Sequence, residues 1–434
     1  MGETRLFPRA SRQWRSSPGS RRGPAGLRVL ISTSTFPRFH GDNVSPFMSD
    51  LIFALAARGI ELDVLAPHSP GSKTVEDLGN GVTVHRFRYA WPEKLENVFY
   101  GAGALENIKA KPSKAIKLPL IAVAQAAATY QLAKSRRHHL IHAHWVVPQG
   151  ITALPSCLGR TALVVSAHGS DVLGLQGRLP MWAKQLAARH ASFLTANSVA
   201  TAAALRRLGA NPDRVEIVPI GASSRTREET VPSWECGFAD EANPLLLFVG
   251  RLIDCKGAED AVAALALLQS RLPGARLVVV GDGPDRQTLE AKAASLEVRD
   301  RILFTDWLQP EKVSQWMRRS DVLVIPSRRA ADGTMEAQGV VPLEAMLHDL
   351  PVIASRCGGL VDIIRHEETG LLVAERSPGE IAEAVERMVT NKRFAIGLAA
   401  NAKEWVLSEG TIAKTAERFH EIYHRVLSAE RRTH

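Results

Sequence analysis

Two glutamates, Glu336 and Glu344, stand eight positions apart in the stretch EAQGVVPLEAM, with Gly339 and Pro342 between them. One continuous helix does not explain that spacing. Pro342 has no amide hydrogen and clashes inside a helix, whereas the first helical position favours proline. The stretch therefore reads as a loop carrying Glu336, open backbone from Gln338 to Val341, and a short helix from Pro342 to Leu347. Glu344 then falls in the first turn, where the helix dipole tolerates negative charge. Gly339 lets backbone approach a ligand closely, and the amides before Pro342 can donate to phosphate oxygens. Glu344 can accept from two ribose hydroxyls of a nucleotide at once, or it simply caps its helix.

A second group lies upstream. The apolar run PLLLFVG ends at GRLIDCKG, which puts Arg251 and Lys256 just past a strand tip. Two fixed cations there are what a departing diphosphate needs, because negative charge accumulates as its bond breaks. Taken alone, each also fits a solvated surface charge. No D-x-D motif occurs in the chain, so the two cations would stand in for a metal, and neither metal nor other cofactor is expected. In SAHGSD, His168 ends a strand and can hydrogen-bond a sugar hydroxyl near the reacting carbon; a satisfied strand-tip histidine is the plainer role. In HAHW, His142 and His144 are expected on opposite sides of their strand, which would keep one metal from taking both. They read as structural or cleft-lining. GDGPDR lacks the G-x-G-x-x-G spacing and reads as a turn.

Such residues need a frame. Short apolar, β-branched runs recur at 27–32, 61–67, 139–144, 162–168 and 214–220, separated by alanine-rich stretches such as Ser45 to Arg58 and Met181 to Arg189. Continuous apolar strands alternating with helices argue for parallel sheets covered on both faces. The rhythm restarts at 244–250 and continues at 275–281, 301–306, 321–327, 350–355 and 369–374. The fold class is thus α/β, with two doubly wound domains at 27–220 and 244–405 and a linker at 221–243. Ligands are expected beyond the carboxyl ends of the strands, in a cleft between the halves. A last helix within 406–434 carries Ile412, Ala416, Phe419, Tyr423 and Val426 on one stripe, suited to packing back toward the first domain.

Composition limits the remaining classes. The 434 residues are 45% hydrophobic and 23% charged, which fits neither disorder nor a membrane bundle. The most apolar stretch, Leu118 to Ala133, is interrupted by Gln125, Thr129 and Gln131, and reads as a soluble helix rather than a bilayer span. Four cysteines without paired spacing suggest a reducing compartment, free of disulfides and structural zinc. The net charge is +9, and the first 26 residues hold six arginines and one acid, as a disordered basic tail would.

The run from GRLIDCKG through GDGPDR, SDVLVIPS, EAQGVVPLEAM, LPVIAS, CGGLVDII and TGLLV resembles the carboxyl-terminal domain of glycosyltransferase family 4. STFPRFHGDN, HAHWVVPQG and SAHGSD are similar to its amino-terminal half. The resemblance spans roughly residues 27 to 430. It implies the GT-B fold and retaining transfer of a hexose from a nucleotide sugar to a hydroxyl of a glycan or lipid-linked acceptor, in surface polysaccharide or glycolipid assembly. It implies that Arg251 and Lys256 bind the diphosphate, that Glu336 and His168 lie near the donor sugar, and that Glu344 holds the ribose. Gly339 and Val340 would offer amides to the diphosphate or sugar, and Leu308 would border the base. Gly41 sits where the family often has paired glycines, and Asp42 replaces the second. Ala337, His348, Asp349 and Asp362 also depart from the family's common residues, without removing a proposed catalytic group.

Two other readings stand beside this one. A nucleotide-sugar epimerase or a sugar-phosphate transferase fits the same architecture. A non-catalytic basic protein bound to a membrane or nucleic acid would use Lys109, Lys111, Lys114 and Lys117 ahead of the apolar run; without aromatic interleaving, nucleic acid is not expected. A cytoplasmic enzyme attached peripherally to the inner face of a membrane combines the catalytic and basic features.

Overall fold

The computed structural model describes residues 26–432 apart from 40, 43, 102, 158–160, 175–176, 224–237 and 239–242. The basic stretch 1–26, except Gly26, and most of the 221–243 segment lie outside the described residues. The chain divides into two compact units. One comprises the residues through Asn197, Thr201–Val218 and the chain from Thr415 onward; the other comprises Ser198–Ala200 and Pro219–Lys414.

The first unit is built on an eight-stranded sheet. Its strands are β1 (Arg28–Ser32), β2 (Glu61–Pro67), β3 (Val75–Gly79), β4 (Val82–Phe87), β5 (Leu140–His144), β6 (Ala162–Ala167), β7 (Phe193–Ala196) and β8 (Val215–Ile217). They lie in the order β3-β4-β2-β1-β5-β6-β7-β8. All neighbours are parallel except β3, which runs antiparallel to β4. That edge hairpin and β7 were not anticipated from the sequence. β3 exposes Val75 and Asp77 and buries the charged Glu76, so it lacks an apolar run. Gly79, Asn80 and Gly81 supply three successive left-handed backbone positions for its tight turn.

The second unit has six parallel strands: β9 (Leu245–Val249), β10 (Arg276–Val280), β11 (Ile302–Thr305), β12 (Val322–Ile325), β13 (Val352–Ser355) and β14 (Leu371–Val373). Their order is β11-β10-β9-β12-β13-β14, the doubly wound pattern. Alternation along each strand feeds two cores. Leu246 and Phe248 of β9 join one apolar cluster with Leu277 and Val279 of β10. Leu245 and Leu247 join another with Val278 and Val280. Each such side chain contributes about 1.5–3 kcal/mol by leaving water, so a slip of one residue would forfeit both faces together.

In each unit the strand order reverses beside the first strand, between β1 and β5 and between β9 and β12. Loops leaving those strands diverge, which opens the crevice where doubly wound folds bind ligands. The expected α/β class with two doubly wound domains therefore holds. The helix Ile412–Arg432 carries the expected stripe, with Ile412, Ala416, Phe419, Tyr423 and Val426 all buried. Cys157, Cys255 and Cys357 are free thiols. No helix among the described residues is long and apolar enough to cross a membrane.

Candidate functional site

The loop after β9 is held by its own backbone and by one arginine. Lys256 N–H donates to Ile253 O at 2.9 Å, and Gly257 N–H to Asp254 O at 3.1 Å, closing a single 3₁₀ turn. Gly257 has φ +66, and a Cβ there would overlap the carbonyl oxygen of Pro326 just past β12, so only glycine fits. Arg328 gathers the turn from the β12 side. Its Nε reaches the Asp254 carboxylate at 2.9 Å, Nη2 reaches Glu259 at 3.2 Å, and Nη1 reaches both Asp260 oxygens at 3.4 Å. Its backbone N–H donates to Cys255 O at 2.9 Å. Arg328 was missed from sequence. Its signal was present: it follows a strand tip at the order reversal, as Arg251 does.

Lys256 and Glu336 form an ion pair through Nζ and Oε2. The two residues proposed for diphosphate and donor sugar thus meet each other, 80 positions apart in the chain. Arg251 is exposed, and its side chain makes no hydrogen bond or ion pair among the described residues.

The 336–344 segment lies flush against the CGGL turn. Gly359 N–H donates to Glu336 O at 3.1 Å. A Cβ on Gly358 would overlap Glu336 O, and one on Gly359 would overlap Ala337 O. Gln338, 3% exposed, exchanges both amide hydrogen bonds with the Ile220 backbone, at 2.8 and 2.7 Å. Gly339 has φ +82, and the Glu336 carboxyl carbon lies 3.5 Å from where its Cβ would stand. The amides of Gly339 and Val340 donate to no protein acceptor among the described residues. The following helix is Val341–Leu347, starting one residue earlier than expected, with Pro342 still in its first turn. Glu344 is half-buried in that turn. Leu308 and Val340 are half-buried against the same apolar cluster that contains Leu343 and Met346.

In the first unit the opposed-face expectation for His142 and His144 fails. Residues two apart on a strand share a face, and these rings lie 4.1 Å apart, centroid to centroid. His142 Nδ1 bonds the Tyr423 hydroxyl and Nε2 bonds Ser166 Oγ, both at 2.7 Å. His144 Nδ1 lies 3.0 Å from His168 Nε2. Buried Asp171 ties the loops after β5 and β6 together, accepting from Val146 N–H at 2.6 Å and His168 N–H at 3.0 Å. The rings of Trp145 and Phe47 flank His168 at 4.8 and 5.6 Å. Trp145 holds φ +78, a costly conformation for a bulky side chain that persists only where surrounding structure enforces it.

Gly41 is exposed with φ +83. Asp42 beside it is spent locally, accepting from the Arg38 backbone at 2.9 Å and its guanidinium at 2.7 and 3.1 Å.

Burial depresses three imidazoles: His142 to about 3, His168 to about 4, and His144 well below the ordinary histidine value. Unfolding exposes them to take up protons near pH 6.5, so the unfolded chain binds more protons below that value. The stability they allow is complete above about pH 6.5 and is lost as pH falls toward 4. Urea unfolding followed from pH 7.5 to 5 should show a falling midpoint, and His142→Asn should flatten that limb.

Two family models cover most of the chain. The "Glycosyl transferase 4-like domain" matches residues 44–221, and "Glycosyl transferases group 1" matches residues 237–405. The chain belongs to glycosyltransferase family 4. The chain is 30% identical to the D-inositol 3-phosphate glycosyltransferase of Acidothermus cellulolyticus, over 79% of this chain and 77% of that one. It is 27% identical to the GDP-mannose-dependent alpha-(1-6)-phosphatidylinositol monomannoside mannosyltransferase of Mycobacterium tuberculosis, over 88% of this chain and 94% of that one. The GT-B fold is shared with sucrose-phosphate synthase of Thermosynechococcus elongatus, with a TM-score of 0.74, 22% identity, and coverage of 93% of this chain and 100% of that one. This family-4 protein is therefore a glycosyltransferase.

Proposed function

We propose that this glycosyltransferase moves a hexose from a nucleotide sugar to a hydroxyl of a glycan or lipid-linked acceptor, with retention and without a metal ion. The observation that carries the reading is the Lys256–Glu336 pair beside the undonated amides of Gly339 and Val340, at the strand-order reversal. As the bond from the sugar's anomeric carbon to phosphate oxygen breaks, its electron pair passes to the diphosphate. Lys256, Arg251 and those amides stabilise that charge. The acceptor oxygen bonds the same carbon on the face the nucleotide leaves, and its proton passes to the departing phosphate. Glu336 and His168 hold the sugar, Glu344 the ribose, and Leu308 the base; Gly41 belongs to the loop that leaves β1 for the donor. The mycobacterial relative is named for a GDP-mannose donor and a lipid acceptor, which supports the donor class and the glycolipid reading.

A mass-spectrometric screen against UDP-, GDP- and ADP-sugars, scoring slow donor hydrolysis, tests this directly. Hydrolysis of one donor, undiminished by EDTA, is expected. Glu344→Ala should weaken nucleotide binding about tenfold, the share of one charge-assisted hydrogen bond. Turnover that disappears with EDTA would reject the metal-free mechanism.

A specific observation supports peripheral attachment to anionic lipid. The helix Leu118–Ser135 buries Gln125 and Thr129 beside Ile121 and Ala133, while Leu120, Val123 and Tyr130 are 54%, 67% and 44% exposed. Ile116, 84% exposed, lies in the 3₁₀ turn Pro112–Lys117 that precedes the helix. Lys109 and Lys111 are exposed just upstream, and Lys114 and Lys117 are partly so. Apolar side chains flanked by cations suit an anionic lipid surface. The protein is expected to float with phosphatidylglycerol vesicles in low salt, and Leu120→Asp with Val123→Asp should abolish flotation. Binding that ignores both salt and these substitutions would exclude this face.

A further inference from the structure

We infer that His144 is a positioning residue: it fixes the proton of His168 on Nδ1, so that His168 meets its ligand as a hydrogen-bond donor to an oxygen. The inference deepens the donor-site reading of His168 and rests on it for the identity of the ligand.

The contact between His144 Nδ1 and His168 Nε2, at 3.0 Å, has room for one proton. Which ring supplies it follows from the other nitrogen of His144. That residue is fully buried, and its Nε2 has no protein partner among the described residues. The neighbouring ring of His142 cannot provide one, because both its nitrogens are engaged by Tyr423 and Ser166. If His168 donated, neutral His144 would carry its own proton on Nε2, leaving a buried N–H without a protein acceptor among the described residues. If His144 donates from Nδ1, Nε2 keeps only an unused lone pair. Orphaned buried N–H groups are the rarer and costlier of the two. His144 Nδ1–H therefore donates to His168 Nε2, and neutral His168 bears its proton on Nδ1.

The rest of His168 is immobilised. Its N–H donates to Asp171 at 3.0 Å, its carbonyl accepts from Asn197 Nδ2 at 3.3 Å, and Trp145 and Phe47 flank its ring. Nδ1 has no protein partner among the described residues, and the side chain is partly open to solvent. An N–H so presented selects an acceptor atom on the ligand, such as a sugar hydroxyl oxygen. It cannot take a proton from that hydroxyl.

The test is long-range ¹H–¹⁵N correlation on histidine-labelled full-length protein at pH 7.5, with the His168 signals identified by their loss in His168→Asn. His168 is expected to show a protonated Nδ1 and a bare Nε2. In His144→Asn, the carboxamide N–H stands near the position of the imidazole Nδ1–H, so the tautomer and the slow hydrolysis of GDP-mannose or UDP-glucose should be retained. In His144→Leu the two tautomers should mix, and kcat/KM for that hydrolysis should fall about tenfold, the share of one misdirected hydrogen bond. A protonated Nε2 on wild-type His168 would overturn the inference, whether or not His144→Leu folds. An unchanged tautomer in folded His144→Leu would do the same. The spectrum is read without donor, so absence of all nucleotide-sugar turnover would instead sink the donor-site reading and leave the tautomer result standing.

Discussion

Lys256→Ala is expected to slow sugar transfer roughly 10²-fold, as losing one preorganised oxyanion donor does, while nucleotide affinity changes little. In the free enzyme the ammonium is already neutralised by Glu336. A bound ground-state diphosphate therefore gains less from it than a free cation would offer. As the anomeric bond lengthens, charge on the leaving oxygen grows and competes with Glu336 for the same ammonium. An interaction that strengthens toward the transition state raises turnover rather than affinity. Glu336→Gln separates the two roles: it frees Lys256 to bind nucleotide more tightly while removing a carboxylate from the sugar. Nucleotide affinity by calorimetry and single-turnover rates of donor cleavage measure both variants. Equal losses of affinity and rate in Lys256→Ala would assign the lysine to ground-state binding, and unchanged rates would remove it from the site.

Arg328→Met is expected to lower the stability of the second unit by about 3 kcal/mol, the usual cost of leaving a buried charge without its partner. For a unit of this size that is a fall in Tm of about 6–12 °C. The guanidinium is 8% exposed as a residue and answers three carboxylates at once. Burial pushes the Asp260 carboxyl up, while hydrogen bonds from Arg328 and Lys292 hold Glu259 down. Without Arg328, Asp260 remains buried beside Glu259 with no ion-pair partner among the described residues. Lysine cannot substitute, because one ammonium does not span acceptors arranged for a planar fork. Protonating the acids removes the need for the cation, so the gap between parent and variant should narrow as pH falls toward the carboxylate range near 4. Thermal unfolding at pH 7.5 and pH 5 checks both sign and size; a gap that widens on acidification would contradict the assignment. Because Arg328 also fastens the turn that carries Lys256, activity should fall even where the variant remains folded.

These two residues mark the boundary between what the chain announces and what folding decides. The strands were legible because parallel, doubly covered sheets demand unbroken apolar runs, and β9, β10, β12 and β13 have them. The positions of Arg251, Lys256 and Glu336 in loops, and of Glu344 in a first helical turn, were legible because Gly257, Gly339 and Pro342 punctuate the backbone there. By itself the sequence determined the α/β class, the restart of the rhythm near residue 244, the buried stripe from Ile412 to Val426 and the residue types available at the strand tips.

Partnership was decided only in three dimensions. Lys256 meets Glu336 across 80 positions, and Arg328 meets Asp254 across 74. No local pattern encodes such pairs, because they depend on which strand lies beside which. The same holds for the outward apolar face of Leu118–Ser135. Periodicity reports that a face exists, but Gln125 turns inward because Ser32 of β1 waits there at 3.1 Å. The histidines show the limit most directly. Strand geometry alone puts His142 and His144 on one side, yet their different fates were set by neighbours from distant segments. Tyr423 and Ser166 engage both nitrogens of the first, whereas among the described residues the ring of the second has one partner, His168, and one bare nitrogen. Local sequence can specify backbone and residue type, but the protonation and pairing of a buried side chain depend on every group that displaces its water.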